Sequence, residues 1–139
     1  MNKDLKIAIC GDVCSDCPRY IATMKNDTAE FAKTARLWYK AGYRDKIIST
    51  EELKCHGCNR TMKCAHEINT CEYLGNKSNC GECDFFPCDK INQVFRKSDI
   101  SKDICRKKCT EEEFQQLNKA FFMKKEILIA VQKKVENKN

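Results

Sequence analysis

The sequence lacks the segments that mark membrane and secreted proteins. No stretch approaches the roughly 20 apolar residues needed to cross a bilayer. The N-terminus has neither the apolar run nor the small-residue cleavage pattern of a secretion signal. The chain also has only five glycines and two prolines, with no glycine-rich phosphate loop. We therefore expect a cytoplasmic protein without membrane association.

Histidine is scarce as well, which limits the classes of enzyme. There are two histidines and no His-Glu-x2-His pattern, whereas catalytic zinc favours histidine or carboxylate ligands and keeps one position open. Asp12 and Asp16, beside the first cysteines, have the character of turn or cap residues. The sequence therefore favours a non-enzymatic role.

Cysteine, in contrast, is abundant, with 12 in 139 residues. The other apolar residues make up about a third of the chain, a small core for a sequence that is 33% charged. Cross-links commonly compensate for such a small core. Because disulfides belong to oxidising compartments, paired thiols in a cytoplasmic protein usually bind metal. We expect metal rather than disulfides.

The spacing of the cysteines is typical of zinc sites. Two residues between thiols let a tight turn direct both sulfurs at one ion, and this spacing recurs along the chain. We expect two or three zinc ions, or alternatively an iron–sulfur cluster, which also takes cysteine thiolates. The candidate metal ligands are Cys10, Cys14, Cys17, Cys55, Cys58, Cys64, His66, Cys71, Cys80, Cys83 and Cys88.

The order of these ligands along the chain suggests how they divide among metal sites. A first site would take Cys55, Cys58, Cys71 and either His66 or Cys64. Gly57 gives that turn the backbone freedom it needs. We expect His56 to be a solvated turn residue rather than a ligand. A second site would take Cys80, Cys83 and Cys88, with a fourth ligand from the N-terminal set. Cys10, Cys14 and Cys17 either supply that fourth ligand or form a site of their own. Cys105 and Cys109 are a ligand pair, a redox pair or buried apolar groups.

Periodicity predicts a mostly α-helical fold: a small metal-stabilised, cysteine-rich domain with zinc knuckles, short helices and a long C-terminal helix. Residues 5–9 form either a short strand or an apolar lead-in. The cysteine-dense stretch 55–88 should contain knuckles and short helices. Predicted helical segments lie at 18–25, 28–41 with a break near Asn26, 49–53, 89–97, and after a capping box at Thr110 and Glu113. We expect residues 1–109 to form the metal-binding domain and residues 110–139 a C-terminal helix packed on it.

Several of these motifs together resemble a known family. Their order is Cys10-Gly11, Cys14-x2-Cys17-Pro18, Cys55-x-Gly57-Cys58 and Cys80-x2-Cys83-x-Phe-Phe-Pro87-Cys88. It resembles the bacterial and archaeal family catalogued as domain of unknown function 3795, over about residues 7–97. The resemblance implies a small, soluble, zinc-binding domain with no established activity. His66 falls where the family has a cysteine, which implies a ligand there.

The net charge of +6 raises the question of a nucleic-acid partner. If all 12 cysteines bind three zinc ions as thiolates, the formal net charge of the metal-loaded protein falls to zero. We therefore interpret the excess of basic residues largely as compensation for the negative charge of the thiolates. Asp99 and Asp103 also interrupt the most basic stretch, which comprises Arg96, Lys97, Lys102, Arg106, Lys107 and Lys108.

The function that the sequence favours is a zinc-stabilised binding or adaptor module with a protein partner. An iron–sulfur or thiol redox protein is the alternative, and a nucleic-acid-binding zinc protein a lesser one. Trp38, Tyr39 and Tyr43 are candidates for partner contact, and core packing is the competing interpretation for Trp38.

Overall fold

The computed structural model describes residues 6–57, 68 and 70–138. Over these residues the chain is mostly helical, as predicted. The α-helices are α1 (Pro18–Lys25), α2 (Thr28–Lys40), α3 (Thr50–Leu53), α4 (Asp89–Lys108), α5 (Glu111–Leu117) and α6 (Lys124–Lys138). Short 3-10 helices lie at Cys14–Asp16, Glu72–Leu74 and Cys80–Glu82. None of the described helices is long and apolar enough to cross a membrane.

The first three helices begin and end where the local signals predict. Pro18 occupies the first turn of α1, where its missing N–H removes no intrahelical bond. Asn26 ends the helix in the left-handed conformation. The Asp27 carboxylate then accepts hydrogen bonds from two N–H groups of α2, and the Ser49 hydroxyl accepts one from Glu52. The predicted break near Asn26 is confirmed.

Three clusters of buried side chains make up the core. One lies among the first three helices and contains Phe31 and Leu53. A second joins α2, α4 and α5 around Trp38, which is only 4% exposed. Trp38 is therefore a core residue, whereas Tyr39 is about half exposed. The third cluster contains Leu128 of α6 together with Cys10, Cys14 and apolar residues from 8–95.

Helix α4 is longer than the predicted segment 89–97. It continues to Lys108 because Ser98 and Cys105 extend the buried face that Ile91 and Val94 begin. Basic residues occupy the last turn, where they interact favourably with the helix dipole.

The prediction of one long C-terminal helix is wrong. Helix α5 runs into a π-helical turn at Asn118–Phe122, and Met123 interrupts the chain before α6 begins. The wide turn leaves carbonyl groups that distant donors reach. The Val13 N–H donates to the Ala120 carbonyl at 2.8 Å, and the Ser98 hydroxyl donates to that of Phe121 at 3.1 Å.

A buried ion pair closes the same junction. The Lys124 ammonium pairs with the Asp12 carboxylate and donates to the Phe121 carbonyl at 2.5 Å. Its side chain is 5% exposed. Since this pair and the hydrogen bond from Val13 join segments more than a hundred residues apart in sequence, the break is stabilised by tertiary contacts.

The N-terminal residues form no extended strand in the described part of the chain. Ile7 pairs with Val13 in a single antiparallel bridge, so the apolar lead-in is the better description of residues 6–9. Residue 5 lies outside the described residues.

The capping box before α5 gives a direct stability prediction. The Thr110 hydroxyl accepts the Glu113 N–H at 3.2 Å, and the Glu113 carboxylate accepts the Thr110 N–H at 2.8 Å. We expect Thr110→Ala to lower the free energy of unfolding by about 1 kcal/mol, measured by urea unfolding. Thr50→Ala, at an exposed position inside α3, is the control and should change it by less than about 0.5 kcal/mol. Equal losses in the two variants would contradict a capping role for Thr110.

Candidate metal centre

Four cysteines line one cavity of about 480 Å³: Cys71, Cys80, Cys83 and Cys88. Most of the remaining wall is apolar, with Ile68, Leu74, Phe86 and Ile91 among the lining residues. Tyr73 and Phe85 also line the cavity, and their rings meet edge to face at 5.2 Å. Because both of these side chains are more than 60% exposed, they mark the open side of the cavity.

The 3-10 turn Cys80–Glu82 positions the thiols of Cys80 and Cys83. The Asn79 side chain accepts the Gly81 N–H at 2.9 Å, and the Cys80 carbonyl accepts the Cys83 N–H at 3.1 Å. The Cys80 N–H donates to the Ile9 carbonyl at 2.9 Å. Local and long-range hydrogen bonds thus fix the backbone that carries Cys80 and Cys83.

Gly81 lets helix α6 approach this turn closely. A Cβ atom at Gly81 would lie 2.7 Å from the Leu128 carbonyl oxygen and 2.9 Å from the Val131 Cβ. Neither contact is sterically tolerable, and the backbone atom has no rotamer by which to move away. The glycine inside this Cys-x2-Cys motif therefore serves the packing of α6.

Cys71 and Cys88 occupy helix starts on the other sides of the cavity. Cys71 precedes the 3-10 helix Glu72–Leu74, and its N–H donates to the Ile68 carbonyl at 3.1 Å. Cys88 is the residue before α4, and its carbonyl accepts the Asn92 N–H at 3.1 Å. The four thiols thus come from three separate segments that converge on one space.

A second group of thiols lies at the N-terminal end of α1. The Cys17 N–H donates to the Cys14 carbonyl at 3.0 Å in a tight turn. Burial raises the pKa of the Cys17 thiol to about 12, and Cys55 and Cys14 add smaller contributions in the same direction. Both Cys14 and Cys55 are buried.

Helix α1 holds Cys55 in this position. The Thr23 hydroxyl accepts the Cys55 N–H at 2.9 Å. The Arg19 guanidinium donates to the carbonyls of Leu53 at 2.9 Å and Glu52 at 3.1 Å. Side chains of α1 therefore fix the segment that leads into the second Cys-x2-Cys motif.

The turn after Cys55 has the conformation that its glycine suggested. Gly57 has a φ of +104°, which residues with a Cβ rarely adopt. His56 is exposed, in agreement with a solvated turn residue. The predicted ligands Cys58, Cys64 and His66 lie outside the described residues.

Cys10 is buried in the core cluster against which the four cavity cysteines pack. Burial, followed by the nearby Asp12 carboxylate, raises the pKa of its thiol, and Lys124 opposes that effect. Cys10 is therefore part of the core behind the cavity cysteines, two residues before Asp12 in the chain.

The donor chemistry of the cavity fits a thiophilic metal. Four sulfurs match the ligand number of zinc and of a cubane iron–sulfur cluster, and no disulfide joins two of the ten described cysteines. Across residues 6–57, 68 and 70–138, however, no three Cys, His, Asp or Glu side chains are arranged closely enough to hold an ion. The thiols share a cavity without forming a coordination shell.

A family model described as a protein of unknown function (DUF3795) matches residues 6–93. The chain belongs to this family. The matched range includes both thiol groups and ends within α4, so Cys105, Cys109 and the last two helices lie beyond it. No curated protein and no solved structure gives a significant match. Membership in DUF3795 confirms the resemblance seen in the motifs and assigns no activity.

Cys71 was predicted to belong to a first site with Cys55 and Cys58, and it lines the cavity with Cys80, Cys83 and Cys88. Its predicted partners other than Cys55 lie outside the described residues, so the first site stays a prediction. The apolar residues Ile68 and Leu74 on either side of Cys71 are both 2% exposed. The two apolar residues that flank Cys71 were the signal in the sequence that this segment is buried against the core.

Proposed function

We propose that this DUF3795 protein is a structural metal-binding module in which the four cavity cysteines hold one zinc ion. The convergence of Cys71, Cys80, Cys83 and Cys88 on one cavity supports this proposal. Zinc prefers four ligands in a tetrahedron, and structural sites fill all four positions with protein side chains. A binding or adaptor role agrees with such a closed site.

Bound zinc would supply a cross-link between segments that are far apart in the chain. Cys71 belongs to the start of a 3-10 helix, Cys80 and Cys83 to the turn that packs on α6, and Cys88 to the start of α4. Ligating thiols lose their protons. The bonds from zinc to the four thiolates would then compensate for the small number of apolar core residues.

The second thiol group supports a second ion. A tight turn joins Cys14 and Cys17 at the start of α1, and the Thr23 hydroxyl of the same helix accepts the Cys55 N–H. Cys58 follows Cys55 in the sequence at the spacing of a shared ligand. This assignment retains the predicted pairing of Cys55 with Cys58 and takes the remaining ligands from the N-terminal set.

The size of the cavity favours a second candidate, an iron–sulfur cluster. Four sulfurs at about 2.3 Å from a zinc ion leave almost no empty space among them. A space of about 480 Å³ is much larger than one ion needs, and a cluster of several iron and sulfide atoms would occupy more of it. Iron–sulfur clusters are bound by cysteine thiolates in the same number.

Metal analysis of protein purified anaerobically without added metal tests both candidates. We expect two zinc ions per chain and no visible absorption, because structural zinc is redox-inert and colourless. A brown protein that contains iron and acid-labile sulfide would show that the thiols hold an iron–sulfur cluster instead of zinc. A metal-free protein that remains folded would contradict the proposal as a whole.

The exposed aromatic pair beside the cavity supports a protein partner. Tyr73 and Phe85 are 66% and 61% exposed, and aromatic residues are enriched at protein interfaces.

The basic stretch on α4 supports a nucleic-acid partner less well. Arg106 lies over the Phe114 ring at 4.3 Å, so part of this stretch is engaged within the chain.

A further inference from the structure

Cys105 and Cys109 form a thiol pair that the metal sites do not use. Both residues lie beyond the range matched by the family, at the end of α4. Burial is the main cause that raises the pKa of the Cys105 thiol to about 12, and the neighbouring Cys109 adds to this effect. The pair is therefore a separate feature of this chain.

The backbone places the two residues within reach of a disulfide. The Cys109 N–H donates to the Cys105 carbonyl at 2.8 Å, which is the bond of a regular helical turn. Residues at this spacing have Cα atoms about 6.2 Å apart, inside the range of about 4.4–6.8 Å found for disulfides. Their Cβ atoms, about 5–6 Å apart in a helix, must approach by roughly 1.5 Å. Cys109 is the last residue of this turn, and it leaves the helix in an extended conformation.

The surroundings give the two sulfurs different roles. Cys105 is fully buried, in a cluster with Trp38 and Leu117. Cys109 is partly exposed, so solutes reach it first.

We propose that Cys105 and Cys109 are a redox-active dithiol that a peroxide oxidises to a disulfide. This function is independent of the structural metal proposed above, because neither thiol belongs to the ligand groups. It also selects the redox interpretation from the three that the spacing of this pair allows.

The oxidation has two balanced steps. The Cys109 sulfur attacks one oxygen of the peroxide, the O–O bond breaks, and the thiol proton leaves with the second oxygen as water, or as an alcohol from an organic peroxide. This step yields a sulfenic acid on Cys109. The Cys105 sulfur then attacks the Cys109 sulfur, the S–O bond breaks, and the hydroxyl leaves with the Cys105 proton as water. A dithiol reductant restores both thiols by exchange.

Peptide mapping of the metal-loaded protein tests the proposal. After treatment with one equivalent of hydrogen peroxide and blocking of the remaining thiols, trypsin cleaves at the basic residues between the two cysteines. We expect a cross-linked pair of peptides, 103–106 and 109–119, as the main disulfide product. Dithiothreitol should separate them. The fluorescence of Trp38, the only tryptophan, should change with oxidation and recover on reduction, because Trp38 shares the Cys105 cluster.

Variants distinguish this pair from general thiol oxidation. Cys105→Ser and Cys109→Ser should each abolish the cross-link and the fluorescence change while leaving the metal content unchanged. Oxidation that joins Cys109 mainly to other cysteines, or that oxidises the metal ligands while Cys105 and Cys109 remain thiols, would overturn the proposal. The cross-link is also expected if the purified protein proves to be folded without any metal, so failure of the metal proposal would not remove it.

Discussion

Replacing Cys83 by serine is expected to remove one metal ion per chain and to destabilise the protein by about 4–5 kcal/mol, the range associated with loss of a structural metal. The physical reason is that serine leaves three thiolates at the cavity, too few for a closed zinc site. Because metal binding and folding are coupled in such domains, the stability is lost together with the ion. Metal content and urea unfolding measure the two effects on the same sample.

Cys109→Ser is the matched control for this prediction. It also replaces a partly exposed thiol by a hydroxyl, at a position outside the cavity. We expect full metal content and a change of less than about 1 kcal/mol. If Cys83→Ser retained its metal and its stability, or if the two variants behaved alike, the cavity would not be a metal site.

The second large effect is expected at the buried ion pair of Lys124 and Asp12. Lys124→Met should lower the free energy of unfolding by about 3–5 kcal/mol, because it leaves the largely buried Asp12 carboxylate without its cation. The Asp12 side chain is only 16% exposed, so water compensates little for the loss. Urea unfolding measures the change, and Lys125→Met, at the exposed neighbouring position, should alter stability by less than about 0.5 kcal/mol.

A double variant separates the ion pair from simple packing. Asp12→Asn combined with Lys124→Met removes both charges, and we expect it to be more stable than Lys124→Met alone, because no buried charge is left unpaired. A double variant that loses the sum of the two single effects would show that the side chains contribute independently. That result would contradict the role of the pair in joining α6 to the N-terminal segment.

Sequence-based prediction succeeded where the signals are local. Pro18, Asp27 and Ser49 fix the starts of three helices through their own backbone or side chains. Thr110 and Glu113 form their capping box within four residues. Each of these signals acts within one helical turn, so neighbouring residues alone suffice to predict it.

Prediction failed where distant residues decide the structure. The π-helical turn before α6 is stabilised by Val13, Ser98 and the pair of Lys124 with Asp12, and nothing in residues 110–139 indicates these partners. The helical periodicity continues across the break, so the sequence reads as one helix. Likewise α4 extends beyond residue 97 because Cys105 meets a core built from other helices.

The cysteines illustrate both cases. Their spacing indicated which residues are paired in tight turns, and Cys80 and Cys83 are joined by such a turn. Spacing did not indicate that Cys71 would line the same cavity, because its position depends on how the segment around Cys71 folds over the core. The burial of Cys105 beside Trp38 also depends on other helices and not on its spacing from Cys109.

X-ray absorption of the protein at the edge of its native metal tests the central proposal most directly, since it reports the ligands of the ion itself. For zinc held by the cavity cysteines, we expect sulfur as the dominant ligand at about 2.3 Å, with the sulfur signal reduced in Cys83→Ser. A spectrum dominated by oxygen or nitrogen ligands, unchanged in Cys83→Ser, would contradict a metal centre built from these thiols.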